Sequence, residues 1–219
     1  MKHEPHLYLD RPWQEDRLPI PTAAQRHLEK VLRYPDGGRL TYTDGVGHIG
    51  RGLWVEGRVE RGEERVAARP GFAVDIAVAP PRSKDRQRSI VEKCQELDVR
   101  RLTWLDTEWG SHRIPTPYKV RSWSVGALEQ CRGAWLLETG GPVTLADLGQ
   151  TLVADTEGLP ILDLDLDGDV RIAIGPEGGF APGEVPDRLQ RVRLGGSVLR
   201  TDTAAIVAAG VLGARRSGW

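Results

Sequence analysis

Ile174-Gly175-Pro176-Glu177-Gly178-Gly179-Phe180 is followed closely by Leu194-Gly195-Gly196-Ser197-Val198-Leu199-Arg200-Thr201-Asp202-Thr203-Ala204. Each stretch follows a short apolar, strand-like run and precedes a helix-like one. Alternation of this kind predicts a mostly parallel sheet with helices on both faces. Loops at the ends of such strands aim backbone N–H and C=O groups at a crevice, and glycine lets the main chain come close to a ligand. Two of them after successive strands can wall one pocket. Neither reads GxGxxG, and no Lys-Ser/Thr follows as a phosphate loop requires, so Rossmann and ATP-binding readings are disfavoured.

Outward from these loops, strands are expected at 73–79, 102–105, 150–154, 170–174 and 192–194. Helices are expected at 86–97, 121–132, 183–189 and 202–215, the last with Thr201 or Asp202 as its cap. That helix presents Ala204, Ala205, Ala208, Ala209, Gly210 and Gly213, small residues that permit close approach to another helix or a partner subunit. Its glycines cost helix stability and so favour the packing reading. Before Pro70-Gly71 the pattern changes to short alternating runs at 40–42, 52–55 and 58–59, separated by glycine-rich turns. One helix interrupts them, capped by Thr22, with His27, Leu28, Val31 and Leu32 at helical spacing. The expectation is a small β-barrel over residues 1–70 and an α/β domain over 71–219.

At 219 residues, 39% hydrophobic and 28% charged, the chain has the make-up of an ordinary soluble protein of one or two domains. No apolar run is long enough for a bilayer, and MKHEPHLYLD has no signal-peptide core. Cys94 and Cys131 form no CxxC pair, which argues against a disulfide framework or zinc site and for a reducing, cytoplasmic compartment. A net charge of −1 argues against a strongly basic nucleic-acid binder. The charge is uneven, however. Lys/Arg against Asp/Glu run 12 to 11 over residues 1–70, 11 to 8 over 71–135, and 7 to 12 over 136–219, so a polyanion should meet the first two-thirds.

Arg82-Ser83-Lys84-Asp85-Arg86-Gln87-Arg88 is a basic cluster at a strand-to-helix junction, suited either to phosphates or to a solvated helix start. Asp163-Leu164-Asp165-Leu166-Asp167-Gly168-Asp169 opens like a calcium loop, but Ile174 stands where the twelfth position needs a bidentate Glu. A solvated strand edge with a hairpin-like turn is expected there, and no metal. The histidines, His3, His6, His27, His48 and His112, show no paired spacing, and no Ser-His-Asp set can be nominated.

The pair IGPEGGF and LGGSVLRTDTAA resembles the signature of the RsmE-type ribosomal RNA methyltransferases of the SPOUT (α/β-knot) superfamily, whose loops read GPEGG and LG…LRTETA. Lys84-Asp85-Arg86 matches a K-G/D-R element, Lys93-Cys94-Gln95-Glu96-Leu97-Asp98-Val99 a KATELGV element, and Glu129-Gln130-Cys131 an AEQ element. His27-Leu28, Val31-Leu32-Arg33 and Asp44-Gly45 echo the family's N-terminal barrel. The chain departs from the pattern at Asp202 (for Glu), at Asp98 (for Gly), at Glu108-Trp109-Gly110 (an ERS element without its arginine), in the spacing to Arg132, and at His3-Glu4-Pro5-His6 (for an arginine-rich start).

The resemblance implies a PUA-like RNA-binding barrel, a knotted methyltransferase domain, S-adenosylmethionine (SAM) as donor, and a homodimer whose subunits complete each other's sites. The implied target is N3 of a uridine in 16S ribosomal RNA, naked or in the small subunit. The donor would be held by Ile174, Gly175, Glu177, Gly178, Leu194, Gly195, Leu199, Arg200 and Thr201, with Ala154-Asp155 as a third loop after the preceding strand. Arg200 is the candidate for stabilising charge at the reacting base. Glu177 is the candidate base, or else a loop residue bonding neighbouring N–H groups. Arg82, Lys84, Arg86, Arg88 and Arg33 are candidates for RNA phosphates. The departures on the RNA side leave open a transfer RNA or another ribosomal site as target. A non-catalytic RNA-binding module for ribosome assembly is the remaining alternative.

Overall fold

Short strands broken by glycine turns can form only a small sheet, and the first part of the chain does so. The computed structural model describes residues 4–69, 71–111, 113–166 and 168–218; Pro70, His3, His112 and Asp167, which entered the reading above, lie outside the described residues. The strands are His6–Tyr8 (β1), Arg17–Leu18 (β2), Gly38–Thr43 (β3), His48–Val55 (β4) and Arg58–Val66 (β5), in the order β1-β3-β4-β5-β2. β1 runs parallel to β3, and the other pairs are antiparallel. The outer strands β1 and β2 do not pair with each other, so the sheet is open where a closed barrel was expected. With three and two residues, they offer too few ladder bonds to close a ring.

One side of this sheet buries Leu7, Trp13, Leu40, Tyr42, Trp54 and Val59. The Tyr42 ring lies over Gly50, where an added Cβ would come within 2.1 Å of it, so β4 needs glycine there. The helix Thr22–Arg26 (α1) begins after Pro21, not Thr22, and runs on as a wider turn over His27–Val31. Leu28 is its buried residue, while Val31 is 68% exposed, so the expected apolar face shrinks to one anchor.

The chain divides into two compact units, Met1–Arg69 with Leu128–Leu136, and Pro70–Ala127 with Leu137–Trp219. The excursion at 128–136 has clear causes within the first unit. A Glu129 carboxylate oxygen accepts the Tyr8 N–H at 2.9 Å. Gly47 N–H donates to the Ala134 carbonyl at 2.9 Å, and Leu136 N–H to that of Gly45 at 2.8 Å. The Arg69 guanidinium sits 4.1 Å above the Trp135 ring. The AEQ-like element thus anchors β1, and burial pushes the Glu129 carboxyl above its ordinary range despite the Tyr8 N–H.

In the second unit six parallel strands lie in the order β11-β9-β10-β6-β7-β8: Val74–Val78 (β6), Arg101–Leu105 (β7), Glu138–Val143 (β8), Leu152–Pro160 (β9), Val170–Ile174 (β10) and Arg191–Arg193 (β11). The helices are Lys84–Glu96 (α2), Pro117–Cys131 (α3) and Thr201–Arg216 (α4). Alternation along the central strands sorts the core. Val74, Ile76, Val78, Ile172 and Ile174 meet Ile90, Val91 and Cys94 of α2 and Ala204, Ala205, Ala208 and Ala209 of α4. Burial there pushes the Cys94 thiol up to about 12. Ala77 and Ala173 face the other way, onto Leu105, Leu145, Leu148, Val153, Val185 and Leu189.

Among the described residues, that second cluster contains no residue of an α-helix, which corrects the expectation of helices on both faces. Residues 183–189 form turns because Pro186 lacks an N–H and Gly183 sits at φ 80°. β8 was not anticipated, since Gly140, Gly141 and Pro142 disfavour a strand; it is tolerated at the sheet edge. Asp163-Leu164-Asp165 makes neither strand nor hairpin. A 3₁₀ turn occupies Ile161–Asp163, and β9 and β10 run parallel. Asp169 accepts the Ala73 N–H at 2.8 Å and pairs with Arg100 at 2.6 Å.

In α4 the alanines do pack closely, but a Cβ at Gly210 would meet open space, so packing within the chain does not require that glycine. Asp98, standing for the family's Gly after α2, adopts φ 54°. Aspartate enters this left-handed region more readily than most residues, which explains how the replacement is accommodated.

Candidate functional site

β9 holds the key to where the chain opens. It pairs with β10 only at Leu152 and Val153, then continues along β11 to Pro160. Beyond Val153 the two neighbours of β9 therefore part, and Ala154, Asp155 and Thr156 face a cavity of about 550 Å³. Ala154 and Asp155 lie within this strand, not in a loop after it. The cavity lies outside the C-terminal end of β10, the position at which parallel α/β sheets bind ligands, and its volume suits a small molecule.

Both glycine stretches line it: Ile174, Gly175, Glu177 and Gly178 from the first, and Leu194, Gly195, Leu199 and Thr201 from the second. The structure brings these sequence candidates together. Thr201, at the first turn of α4 and 2% exposed, donates from its hydroxyl to the Gly175 carbonyl at 3.0 Å, tying the loops to each other. The Phe180 ring closes on Gly175, where an added Cβ would lie 3.1 Å away. Arg200 occupies the cap position of α4, exposed and outside the cavity lining. The cap is thus neither Thr201 nor Asp202, and one carboxylate oxygen of Asp202 is buried without a hydrogen-bond partner.

Glu177 pairs with Arg86 at 3.4 Å, joining a candidate base to a candidate phosphate ligand. It takes this partner rather than the neighbouring loop N–H groups. Arg82 and Lys84 are exposed, Arg88 is paired with Glu92 at 2.7 Å, and Arg33 is exposed in the first unit. Asp155 accepts the Glu157 N–H and pairs with Arg191, and these contacts hold its carboxyl below the usual range.

Two contributors escaped the sequence reading. Trp109, noted only as a departure, stands on the cavity wall, 52% exposed and 3.8 Å from where a Cβ on Gly178 would lie. Glu184 accepts the Ala181 N–H at 2.7 Å and the Glu108 N–H at 3.0 Å, so it holds the tryptophan's loop against the glycine loop. A carboxylate three residues after a turn residue is a common capping signal, but nothing local identifies Glu108 as its second partner. Among the described residues, no group of three or more His, Cys, Asp or Glu is placed to hold a metal, and no helix is long and apolar enough to cross a membrane.

Comparison with known proteins agrees with this geometry. The RNA methyltransferase domain family matches residues 68–213. Ribosomal RNA small subunit methyltransferase E of Mycobacterium bovis is 29% identical over 227 residues, covering 88% of this chain and 84% of that protein. A putative methyltransferase from Legionella pneumophila, solved with the bound cofactor SAM, is 26% identical, with a TM-score of 0.84 and coverage of 97% of this chain and 98% of that one. A probable rRNA methyltransferase from Porphyromonas gingivalis shares the fold, with a TM-score of 0.85, 24% identity and coverage of 98% and 99%. With the glycine loops meeting around one cavity and the family match spanning most of the chain, the protein belongs to the RNA methyltransferase domain family, and within it to the RsmE type.

Proposed function

We propose that the chain is a SAM-dependent methyltransferase acting on N3 of a uridine in 16S ribosomal RNA. The observation that carries this reading is the cavity walled by both glycine loops and fastened by the Thr201–Gly175 hydrogen bond. The residues fit an adenosyl group. Ile174, Leu194 and Leu199 offer apolar walls for its faces, and a Cβ at Gly195 would meet no protein atom, which leaves room for close backbone approach. Ala154, Gly175, Glu177, Gly178 and Thr201 would complete the enclosure, with Arg200 at its edge. When bound, the donor supplies a methyl group on a positively charged sulfur.

The chain's own residues have two tasks beyond binding. Uridine N3 carries a proton that must leave, and the Glu177 carboxylate, half-exposed with a single arginine partner, has free lone pairs to accept it. The exposed Arg200 guanidinium would stabilise the negative charge left on the base. Trp109 offers a face on which the uracil can stack, which requires the base to be single-stranded or flipped out. Arg82, Lys84, Arg86, Arg88 and Arg33 would contact phosphates. We further assign the first unit as a PUA-like RNA-binding module with an open sheet, the second as a knotted SPOUT domain, and the working form as a cytoplasmic homodimer.

Trp109 in place of the family's arginine gives a specific reason to weigh a different RNA target with the same donor. Mass mapping of 16S rRNA from a strain lacking the protein tests both readings. A single missing uridine methyl, restored by purified protein and SAM, is expected. Intact 16S methylation with a methyl missing elsewhere would move the target. No missing methyl and no SAM binding by calorimetry would leave only an assembly role.

A further inference from the structure

Across the first unit's sheet, His6 of β1 stands opposite Thr41 of β3, and Thr41 opposite Arg51 of β4. Cross-strand partners share a face of the sheet. Ile49, two residues before Arg51 and so on that face, is opposite Arg65 of β5. The register therefore gathers two arginines over a histidine and a threonine. Arg132, following α3 at φ 58°, joins them from the 128–136 excursion, its guanidinium donating to the Glu4 carbonyl. These side chains, with Glu63, line one concave pocket of about 270 Å³.

The floor of the pocket is hydrogen-bonded in place, whereas two of its arginines hold no carboxylate among the described residues. His6 is buried; its Nε2 donates to the Gly133 carbonyl at 3.1 Å, leaving Nδ1 to accept the Thr41 hydroxyl at 2.7 Å. Burial, with Arg132 nearby, keeps this imidazole below its ordinary range despite the Gly133 carbonyl, hence neutral at neutral pH. Elsewhere in the unit Arg11, Arg17, Arg58 and Arg61 each hold a carboxylate, at 2.8, 3.0, 3.2 and 2.8 Å. Arg51 and Arg65 hold none among the described residues, although Glu63 stands at the same rim. Three guanidinium groups against one carboxylate, in an open concavity, suit the fork geometry of a phosphate.

We infer that the pocket formed by Arg51, Arg65 and Arg132 over His6 and Thr41 is a binding site for a backbone phosphate of the RNA substrate. The inference rests on the reading of the chain as an RNA methyltransferase. It gives the first unit a phosphate contact of its own in addition to the basic stretch at 82–88, and it restores cationic side chains at β1, where His3-Glu4-Pro5-His6 replaces the family's arginine-rich start.

The test measures binding of an in vitro 16S rRNA transcript to the full chain at several salt concentrations, with SAM affinity by calorimetry as the control. Both arginines are exposed, so the R51A/R65A variant should fold. Its RNA affinity should fall about tenfold and its log–log salt slope should flatten by about 0.7, the share of one phosphate on a single strand. R51K/R65K should keep the wild-type slope, and E63Q should raise RNA affinity; SAM affinity should not change in any of them. R51A/R65A binding RNA with wild-type affinity and slope would overturn the inference. So would inorganic phosphate binding to the wild type while RNA binding ignores all three variants. If the wild type binds the transcript through these arginines yet transfers no methyl, the pocket stands and the functional reading fails.

Discussion

The cavity of the second unit and the pocket of the first are both concave, but they are made of different material. The cavity is walled by glycines, apolar side chains and main chain at the ends of parallel strands, with two carboxylates, Asp155 and Glu177, balanced by Arg191 and Arg193. The pocket is walled by guanidinium groups standing on the face of an open, mostly antiparallel sheet. The contrast follows from sheet type. A parallel sheet buried on both faces has only its strand ends to offer a ligand, whereas a sheet with one free face displays every second side chain. On the reading proposed above, the first construction would recognise its ligand mainly by shape and the second by charge. Salt should therefore separate them, leaving donor binding nearly unmoved while RNA binding weakens steeply.

The sharpest way to break this comparison is at Arg200, the exposed cap of α4 that stands in the chain between two lining residues, Leu199 and Thr201. Arg200→Ala should lower methyl transfer by about 10²–10³-fold, the usual loss when a stabilising donor is removed, with a much smaller change in SAM affinity. Equal losses in turnover and affinity would make Arg200 part of the donor wall. Gly178→Val comes next. A Cβ there sits in ordinary contact with Trp109, but the valine methyl groups reach into the cavity. SAM affinity measured by calorimetry should drop about a hundredfold, ~2.8 kcal/mol, with RNA affinity retained. Normal SAM binding would place the donor elsewhere.

Thr201→Val removes the hydroxyl that ties the loops and leaves the Gly175 carbonyl without this donor. A loss of about 1–3 kcal/mol is expected, read as a lower melting temperature and a parallel loss of SAM affinity. A change in melting temperature alone would show that the tie serves folding and not the cavity.

The smallest effect concerns the pocket's floor. The folded-state value of His6 lies below 6.5, so as pH falls through that value the unfolded chain takes up a proton first. Stability from this group is complete above 6.5 and is lost as pH falls from there toward the folded value. His6→Gln should flatten the slope of denaturant stability between about pH 7.5 and pH 5. An unchanged slope would remove His6 from the acid sensitivity.

Much of this was legible beforehand. The β6 and β10 cores announced themselves as apolar runs, and the proposed donor residues other than Arg200 line one cavity. The helix expected at 183–189 gives way to turns at Pro186 and a left-handed Gly183, and β8 is masked in the sequence by glycines that an edge position tolerates. The basic cluster at 82–88 suits phosphates or a solvated helix start, and within it Arg86 and Arg88 meet Glu177 and Glu92. Trp109 and Glu184 lie in turns whose periodicity says nothing about direction.

The sequence alone determined the alternation that makes a parallel sheet and the two glycine loops that line the cavity at its strand ends, because both depend on local residue type and period. Tertiary structure alone decided that β9 parts from β10 beyond Val153 to open the cavity, that residues 128–136 return to the first sheet, and that Arg51, Arg65 and Arg132 converge. These outcomes depend on strand register and on contacts between residues far apart in the chain. No local pattern encodes such separations, since they are set by which buried groups find partners when the whole chain closes.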